Sequence, residues 1–185
     1  MSTTPLHTYR VKVSGLWTKR HEFSRIEEDG SVVFEGVLTA KRGSWGRVTE
    51  AEYRPEKGEV LFLRRDPGLL RSQFSLWTDG TEWLGSSLRW GFKRQVDLST
   101  GSKPLYLLPI SGLRAGWGLY APKSGENARI VSSLTGRSSR LEVFRRLDFP
   151  LLVFSYFLGN QVHLESILPG PAPEKVKARA SATAV

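Results

Sequence analysis

Apolar and polar residues alternate along most of this chain, which is the pattern of strands with one buried face. An early example runs from Thr8 to Val13, where Tyr9, Val11 and Val13 share one face and Arg10 and Lys12 the other. Similar short runs, separated by turn residues, predict about ten to twelve strands in all. The later runs lie near 23–26, 31–39, 48–53, 59–65, 74–77, 81–83, 88–98, 105–108, 112–120, 128–134 and 141–147.

Two Asp-Gly pairs, at Asp29 and Asp79, indicate tight hairpin turns because their residues tolerate positive φ. The most regular alternation lies between Leu88 and Leu98 and predicts one strand. Its core face is predicted to hold Leu88, Trp90, Phe92, Val96 and Leu98.

A helix is predicted at 149–166, after the last strand. Asp148 is the predicted N-cap, and Pro150 falls in the first turn, where its missing N–H costs nothing. Because Ser155 is the one clearly polar residue between Phe149 and Leu158, the helix has no polar face and must be surrounded. Its predicted core residues are Leu151, Leu152, Phe154, Phe157 and Leu158. The run is shorter than the roughly 20 residues that cross a bilayer, so no transmembrane segment is expected.

Antiparallel strands in this number tend to close on themselves, and barrels of about eleven strands can enclose a helix. The sequence therefore predicts a mainly β fold, a closed antiparallel barrel of about 10–12 strands around the C-terminal hydrophobic helix. The single domain is predicted to span 8–168, after a flexible lead-in at 1–7 and before a disordered tail at 169–185.

Composition points to anionic partners without choosing among them. The 185 residues include 27 basic and 18 acidic side chains, for a net charge of +9, and no cysteine. This charge favours nucleic acid, acidic lipid or phosphorylated ligands, with a generally basic, solvated surface as the alternative. The basic clusters are Lys19-Arg20, Lys41-Arg42-Arg47, Arg64-Arg65, Arg89-Lys93-Arg94 and Arg137-Arg140-Arg145-Arg146. Since the N-terminus has no apolar signal core, we expect a cytoplasmic protein, at most peripheral at a membrane.

Catalytic motifs are not found. The histidines His7, His21 and His163 have no metal-ligand spacing, and the chain contains neither a nucleophile elbow nor a phosphate-binding loop. We therefore expect a protein that is not an enzyme and that has no cofactor and no metal site.

Two segments resemble the tubby C-terminal-like superfamily, which includes the tubby, LURP-one-related and phospholipid scramblase families. One is Phe23-Ser-Arg-Ile26 with Asp29-Gly30-Ser-Val-Val-Phe34, a strand, an acidic-Gly turn and an apolar strand. The other is the apolar run from Asp148 to Leu158, which is similar to the helix that fills the barrel in that superfamily. The resemblance covers most of 8–168 and implies a closed barrel around a central helix.

The same resemblance implies a ligand. Tubby domains bind phosphoinositide head groups through a basic stretch after an early strand, and Lys41 and Arg42 have a similar place and character. An exposed Trp45 in this loop suits a lipid interface. We add Arg47, Arg89 and Lys93 as candidate anion-binding or lipid-binding residues. The leading hypothesis is a non-enzymatic domain that binds an anionic ligand or acidic membrane through basic loops. The alternatives are a nucleic-acid-binding barrel and a structural or interaction module.

Overall fold

The computed structural model describes residues 4–15, 18–42, 48–65, 73–89, 95–101, 104–110 and 116–165, with backbone alone at 42, 88, 89 and 161–165. Within these residues the chain forms twelve strands followed by one helix. The elements are β1 (His7–Ser14), β2 (Arg20–Ile26), β3 (Val32–Arg42), β4 (Val48–Pro55), β5 (Leu61–Arg65), β6 (Gln73–Thr78), β7 (Trp83–Arg89), β8 (Val96–Ser99), β9 (Pro104–Pro109), β10 (Gly116–Ala121), β11 (Gly125–Ser132), β12 (Ser138–Val143) and α1 (Phe149–Glu165).

The strands form a closed antiparallel barrel in which each strand pairs with its neighbours in the sequence. Closure occurs between β1 and β12, where His7 lies opposite Val143 and Arg10 lies opposite Arg140. A closed sheet has no long free edges, which explains why so many short strands are stable together. The predicted mainly β barrel of about 10–12 strands is confirmed.

The alternating pattern places the side chains as predicted in β1. Tyr9 and Val11 are buried inside the barrel, whereas Arg10 and Lys12 on the opposite face are exposed. β1 begins at His7, one residue earlier than the pattern indicates, and the Leu6 N–H donates to the Val143 carbonyl at 2.7 Å.

Helix α1 lies inside the barrel. Every residue from Leu152 to Leu158 is buried, so no side of this segment faces water. Aromatic rings from several strands contact it around the barrel: Tyr9 of β1 and Tyr53 of β4 against Phe149, Phe23 of β2 against Tyr156, and Phe74 of β6 against Phe157. On the β10 side, Trp117 packs so closely that a Cβ on Gly159 would lie 2.7 Å from its ring. The enclosed hydrophobic helix is therefore confirmed.

The start of the helix agrees in part with the expectation. Asp148 precedes the first helical residue, and its backbone carbonyl accepts hydrogen bonds from the N–H groups of Leu151 and Leu152 at 3.0 and 3.2 Å. Among the contacts of the described residues, its carboxylate accepts none. Pro150 lies in the first turn, as predicted. Of the predicted core residues, Leu151 is half-buried, and Leu152, Phe154, Phe157 and Leu158 are buried.

The single strand predicted from Leu88 to Leu98 is wrong. The chain reverses within it, because Arg89 at the end of β7 lies opposite Val96 at the start of β8. The predicted core residues Trp90 and Phe92 lie outside the described residues. The predicted common face of Leu88, Val96 and Leu98 is also wrong, because the register pairs Leu88 with Asp97 and Ser87 with Leu98.

Two strand boundaries also differ from the prediction. β12 ends at Val143, although the pattern suggested a strand to Leu147. Thr81 lies in the turn before β7 with a positive φ of 65°, so the strand begins at Trp83.

Candidate functional site

The topology sorts the connections between strands into two sets. Consecutive strands are antiparallel, so connections leaving odd-numbered strands lie at one end of the barrel and those leaving even-numbered strands lie at the other. We call the end with the β12–α1 connection the helix-start rim. The opposite end, toward which α1 runs and which holds the β1–β2, β3–β4, β5–β6, β7–β8, β9–β10 and β11–β12 connections, is the helix-end rim.

By sequence, the six helix-end connections hold seven basic residues and one acidic residue. These are Lys19, Arg47, Arg71, Lys93, Arg94, Arg114 and Arg137, against Asp66. Four strand-end arginines adjoin the same connections: Arg20, Arg42, Arg65 and Arg89. The side chains of Lys19, Arg20, Arg65 and Arg137 belong to the described part of the chain. The others are placed here only by the strand ends that their segments join.

The helix-start rim has the opposite balance. Its connections hold eight acidic residues and five basic ones. The acidic residues are Glu27, Glu28, Asp29, Glu56, Glu59, Asp79, Glu82 and Asp148, and the basic ones are Lys57, Lys103, Lys123, Arg145 and Arg146. By sequence, the connections that join strands at the helix-end rim therefore carry a formal excess of six positive charges, and those at the helix-start rim an excess of three negative charges.

The candidate residues chosen from the sequence belong to the β3–β4 and β7–β8 hairpins, whose connections both lie at the helix-end rim. Lys41 is exposed near the end of β3 and donates to Glu50 at 2.9 Å, an interaction that raises the pKa of the lysine. Arg42 and Arg89 end β3 and β7 at the helix-end rim, with only their backbone described. Trp45, Arg47 and Lys93 lie outside the described residues.

The basic cluster around Arg137 is divided by the fold. Arg137 belongs to the β11–β12 connection at the helix-end rim, whereas Arg145 and Arg146 follow β12 at the other end. The β1–β2 connection, which contains Lys19, lies at the same helix-end rim as Arg137. Beside this connection, the Val13 N–H donates to the Arg137 carbonyl at 2.8 Å. Sequence clustering found both residues but could not say which of their neighbours share a surface with them.

Cations on the barrel wall are mostly neutralised. Short ion pairs join Arg20 to Glu22 at 3.2 Å, Arg129 to Glu126 at 2.6 Å and Arg140 to Glu142 at 3.1 Å. Among the described side chains, Lys19 and Arg137 take part in no ion pair. Within the described part of the chain, no carboxylate therefore neutralises the charge at these two positions.

A polar cluster lies just inside the helix-end rim. His21 Nδ1 and the Tyr156 hydroxyl are 2.9 Å apart, and they join β2 to the buried helix. Burial lowers the pKa of His21 to about 4, and the charge of Lys19 adds to this effect. Burial raises the pKa of Tyr156 to about 12, against smaller, opposing hydrogen bonds from Ser139 and Asn160. The imidazole and phenol are therefore both neutral near pH 7 and act as mutual hydrogen-bond partners.

The described residues contain no group of three or more acidic, histidine or cysteine side chains able to hold a metal ion. In the same part of the chain, no helix is long and apolar enough to cross a membrane. Comparison with protein-family models, curated proteins and solved structures finds no match to this chain.

Proposed function

We propose that this chain is a non-enzymatic, tubby-like barrel that binds acidic membrane surfaces through its helix-end rim. The observation that carries the proposal is the axial separation of charge: basic connections collect at one rim and acidic connections at the other. Each basic residue held near an acidic bilayer contributes about 1 kcal/mol to binding. A barrel around an apolar helix is also the fold of the tubby superfamily. Membership of this chain in that superfamily is part of the proposal.

The distribution of the charge favours a surface over a single small ligand. By sequence, the basic residues are distributed over all six connections of the rim, and no connection holds more than two of them. A bilayer presents many anionic groups at once and can meet all of these connections together. On this proposal the protein is cytoplasmic and associates with the membrane peripherally.

Apolar side chains at the same rim favour lipid over nucleic acid. Leu134 in the β11–β12 connection is 92% exposed, three residues before Arg137. An exposed leucine beside a cation can enter the boundary between head groups and acyl chains, whereas a nucleic-acid phosphate offers it nothing. By sequence, the other connections add bulky apolar residues whose placement lies outside the described residues: Leu16, Trp17, Trp45, Leu69, Leu70, Trp90, Phe92 and Leu113.

Vesicle flotation tests the proposal. The wild-type chain should float with phosphatidylcholine vesicles that contain phosphatidylserine, and far less with phosphatidylcholine alone. Removing two rim charges in the Lys19→Gln/Arg137→Gln variant should weaken binding by about 2 kcal/mol, roughly 30-fold. The matched control, Lys57→Gln/Lys123→Gln, removes the same net charge from exposed positions at the helix-start rim and should bind like the wild type.

Three results would contradict the proposal. Equal flotation on both kinds of vesicle, or none, removes the acidic membrane as the partner. Equal losses in the two double variants mean that only net charge matters. A gel shift with single-stranded DNA at low salt, without vesicle binding, supports the nucleic-acid alternative instead.

A further inference from the structure

Part of strand β3 has an open edge although the barrel is closed. β3 pairs with β2 from Val32 to Thr39, but it pairs with β4 only from Gly36 onward. Among the described strands, the segment from Val32 to Phe34 therefore has a neighbour on one side only. This segment lies beside the helix-start rim, next to the β2–β3 turn.

Hydrogen-bond alternation shows which backbone groups face the open side. The Glu27 N–H donates to the Ser31 carbonyl at 3.0 Å, so the next bonded pair of the antiparallel ladder is Arg25 with Val33. The N–H and C=O groups of Val32 and Phe34 then point away from β2. No strand of the described chain pairs with them there.

A β-bulge lies beside this edge. Glu35 is the extra residue on β3, because Phe23 pairs with Gly36 and Ser24 with Phe34. Gly36 has a φ of 153°, and a Cβ there would clash with the Arg54 carbonyl oxygen, so only glycine is accommodated. The Glu56 N–H donates to the Glu35 carbonyl at 2.9 Å, which ends the contact between β3 and the β4 side. β4 ends at Pro55, opposite Gly36, so the bulge lies at the point where β3 loses this neighbour.

The side chains on this edge are apolar and exposed. Val32 is 49%, Val33 39% and Phe34 42% exposed, so three consecutive apolar residues meet water in a strand that elsewhere alternates. Proteins usually protect such edges, because unpaired backbone groups beside apolar side chains recruit another strand. An added strand would satisfy the free N–H and C=O groups and cover the valine and phenylalanine side chains.

Acidic residues surround the edge. Glu28, Asp29 and Glu56 are exposed, and none of them takes part in an ion pair among the described side chains. Arg25 already forms ion pairs with Glu27 at 2.9 Å and with Glu35 at 3.1 Å. The charge beside the edge is therefore negative.

This charge argues against a second copy of the chain as the occupant. Two antiparallel β3 edges centred on Val33 would place Asp29 of each copy near Glu35 and Glu56 of the other, and like charges across a strand pair are destabilising. A segment bearing lysine or arginine between its apolar residues has the complementary charge.

We propose that the Val32–Glu35 edge is a docking site for an extended segment of a partner protein in which basic and apolar residues alternate. The segment adds a strand to β3: its backbone pairs with Val32 and Phe34, its apolar side chains cover the exposed face, and its cations meet the acidic rim. This site is separate from the helix-end rim and does not depend on membrane binding.

A labelled, acetylated peptide of alternating lysine and valine serves as the probe, with anisotropy as the readout. It should bind the wild-type chain, more weakly at high salt, and a peptide of alternating glutamate and valine should not bind. Val32→Pro removes the outward N–H without removing a bond to β2 and should weaken binding roughly tenfold or more. Val32→Lys should have a similar effect by repelling the peptide.

The matched control is Val37→Lys, the same substitution in the part of β3 that is paired on both sides. It should bind the peptide like the wild type, and the far-UV spectra of all variants should agree. No binding to the wild type, equal binding of the two peptides, or full binding by both Val32 variants overturns the proposal. A dimer that forms with increasing concentration and disappears in Val32→Lys also overturns it, because the edge then receives a second copy.

Discussion

At the scale of single residues, His21 has an unusual environment for a histidine. It is 6% exposed, and its Nδ1 lies 2.9 Å from the hydroxyl of Tyr156 on the enclosed helix. Burial penalises the imidazolium form, and the nearby Lys19 charge penalises it further, so the pKa falls to about 4. The neutral imidazole is therefore the form that fits the folded barrel.

This environment predicts an acid-sensitive fold. An unfolded histidine has a pKa of about 6.5, so between pH 6.5 and 4 the unfolded chain binds a proton that the folded chain excludes. The contribution of His21 to stability is complete above pH 6.5 and is lost as the pH falls toward 4. The difference is about 3 kcal/mol in the free energy of unfolding. Urea denaturation at a series of pH values measures it.

The variant His21→Asn keeps a polar group near the position of Nδ1 but does not titrate, so it should lose most of this pH dependence between pH 6.5 and 4. His7 is exposed at the start of β1, and His7→Asn is the matched control that should retain the wild-type slope. An unchanged slope in His21→Asn would show that the acid sensitivity has another source.

At the scale of elements, the helix is the part whose role the sequence reveals most directly. A run of apolar residues without a polar face requires surroundings on every side, and the barrel provides them. The structure adds the positions of individual contacts, such as the edge-to-face packing of Phe74 on Phe157 with ring centroids 5.0 Å apart. It also explains Gly159, whose missing side chain leaves room for Trp117.

We expect Phe154→Ala to destabilise the protein by about 3–5 kcal/mol, because Phe154 is fully buried and the surrounding strands cannot collapse onto the cavity. Chemical denaturation measures this loss of unfolding free energy. The slope of that free energy against denaturant concentration should be the same as in the wild type. Leu134→Ala removes an apolar side chain that is 92% exposed and should change stability by less than about 0.5 kcal/mol. Similar small effects for both substitutions would place the helix outside the cooperative core.

The sequence predicts some strands correctly and others incorrectly. β1 follows its pattern because one face is buried against the helix and the other is solvated. Between Leu88 and Leu98 the same logic failed, because the chain reverses and the register pairs Leu88 with Asp97, so Leu88 does not share a face with Val96 and Leu98. Local periodicity assigns faces only within one strand, because a reversal of the chain can shift the alternation by one position.

At the scale of the whole molecule, barrel and helix form one hydrophobic core. Neither has another surface on which to bury its apolar residues, so we expect them to unfold in one transition. Thermal unfolding followed by far-UV and near-UV circular dichroism should give coincident curves. The near-UV signal includes buried Trp117, which packs on the helix. A near-UV transition well below the far-UV one would mean that the helix leaves an intact barrel.

The distribution of charge over the surface is also decided at this scale. The sequence shows a net charge of +9 and several basic clusters, but one of those clusters is divided between the two rims and separate clusters are brought together at one rim. Arg137 and Arg145 are eight positions apart in the sequence, yet a strand carries the chain between them from one end of the barrel to the other. Proximity in sequence is therefore a poor guide to a shared surface in a barrel of hairpins.

The sequence by itself determined that the chain is mainly β, that its strands close around the apolar helix, and that the helix begins beside Asp148. These features follow from local periodicity and from the need to bury apolar surface, which can be read residue by residue. Only the tertiary structure decided which hairpins share a rim, where β3 loses its neighbour and which hydroxyl meets His21. Those features depend on strand direction, on one extra residue at a bulge and on contacts between residues as distant as His21 and Tyr156.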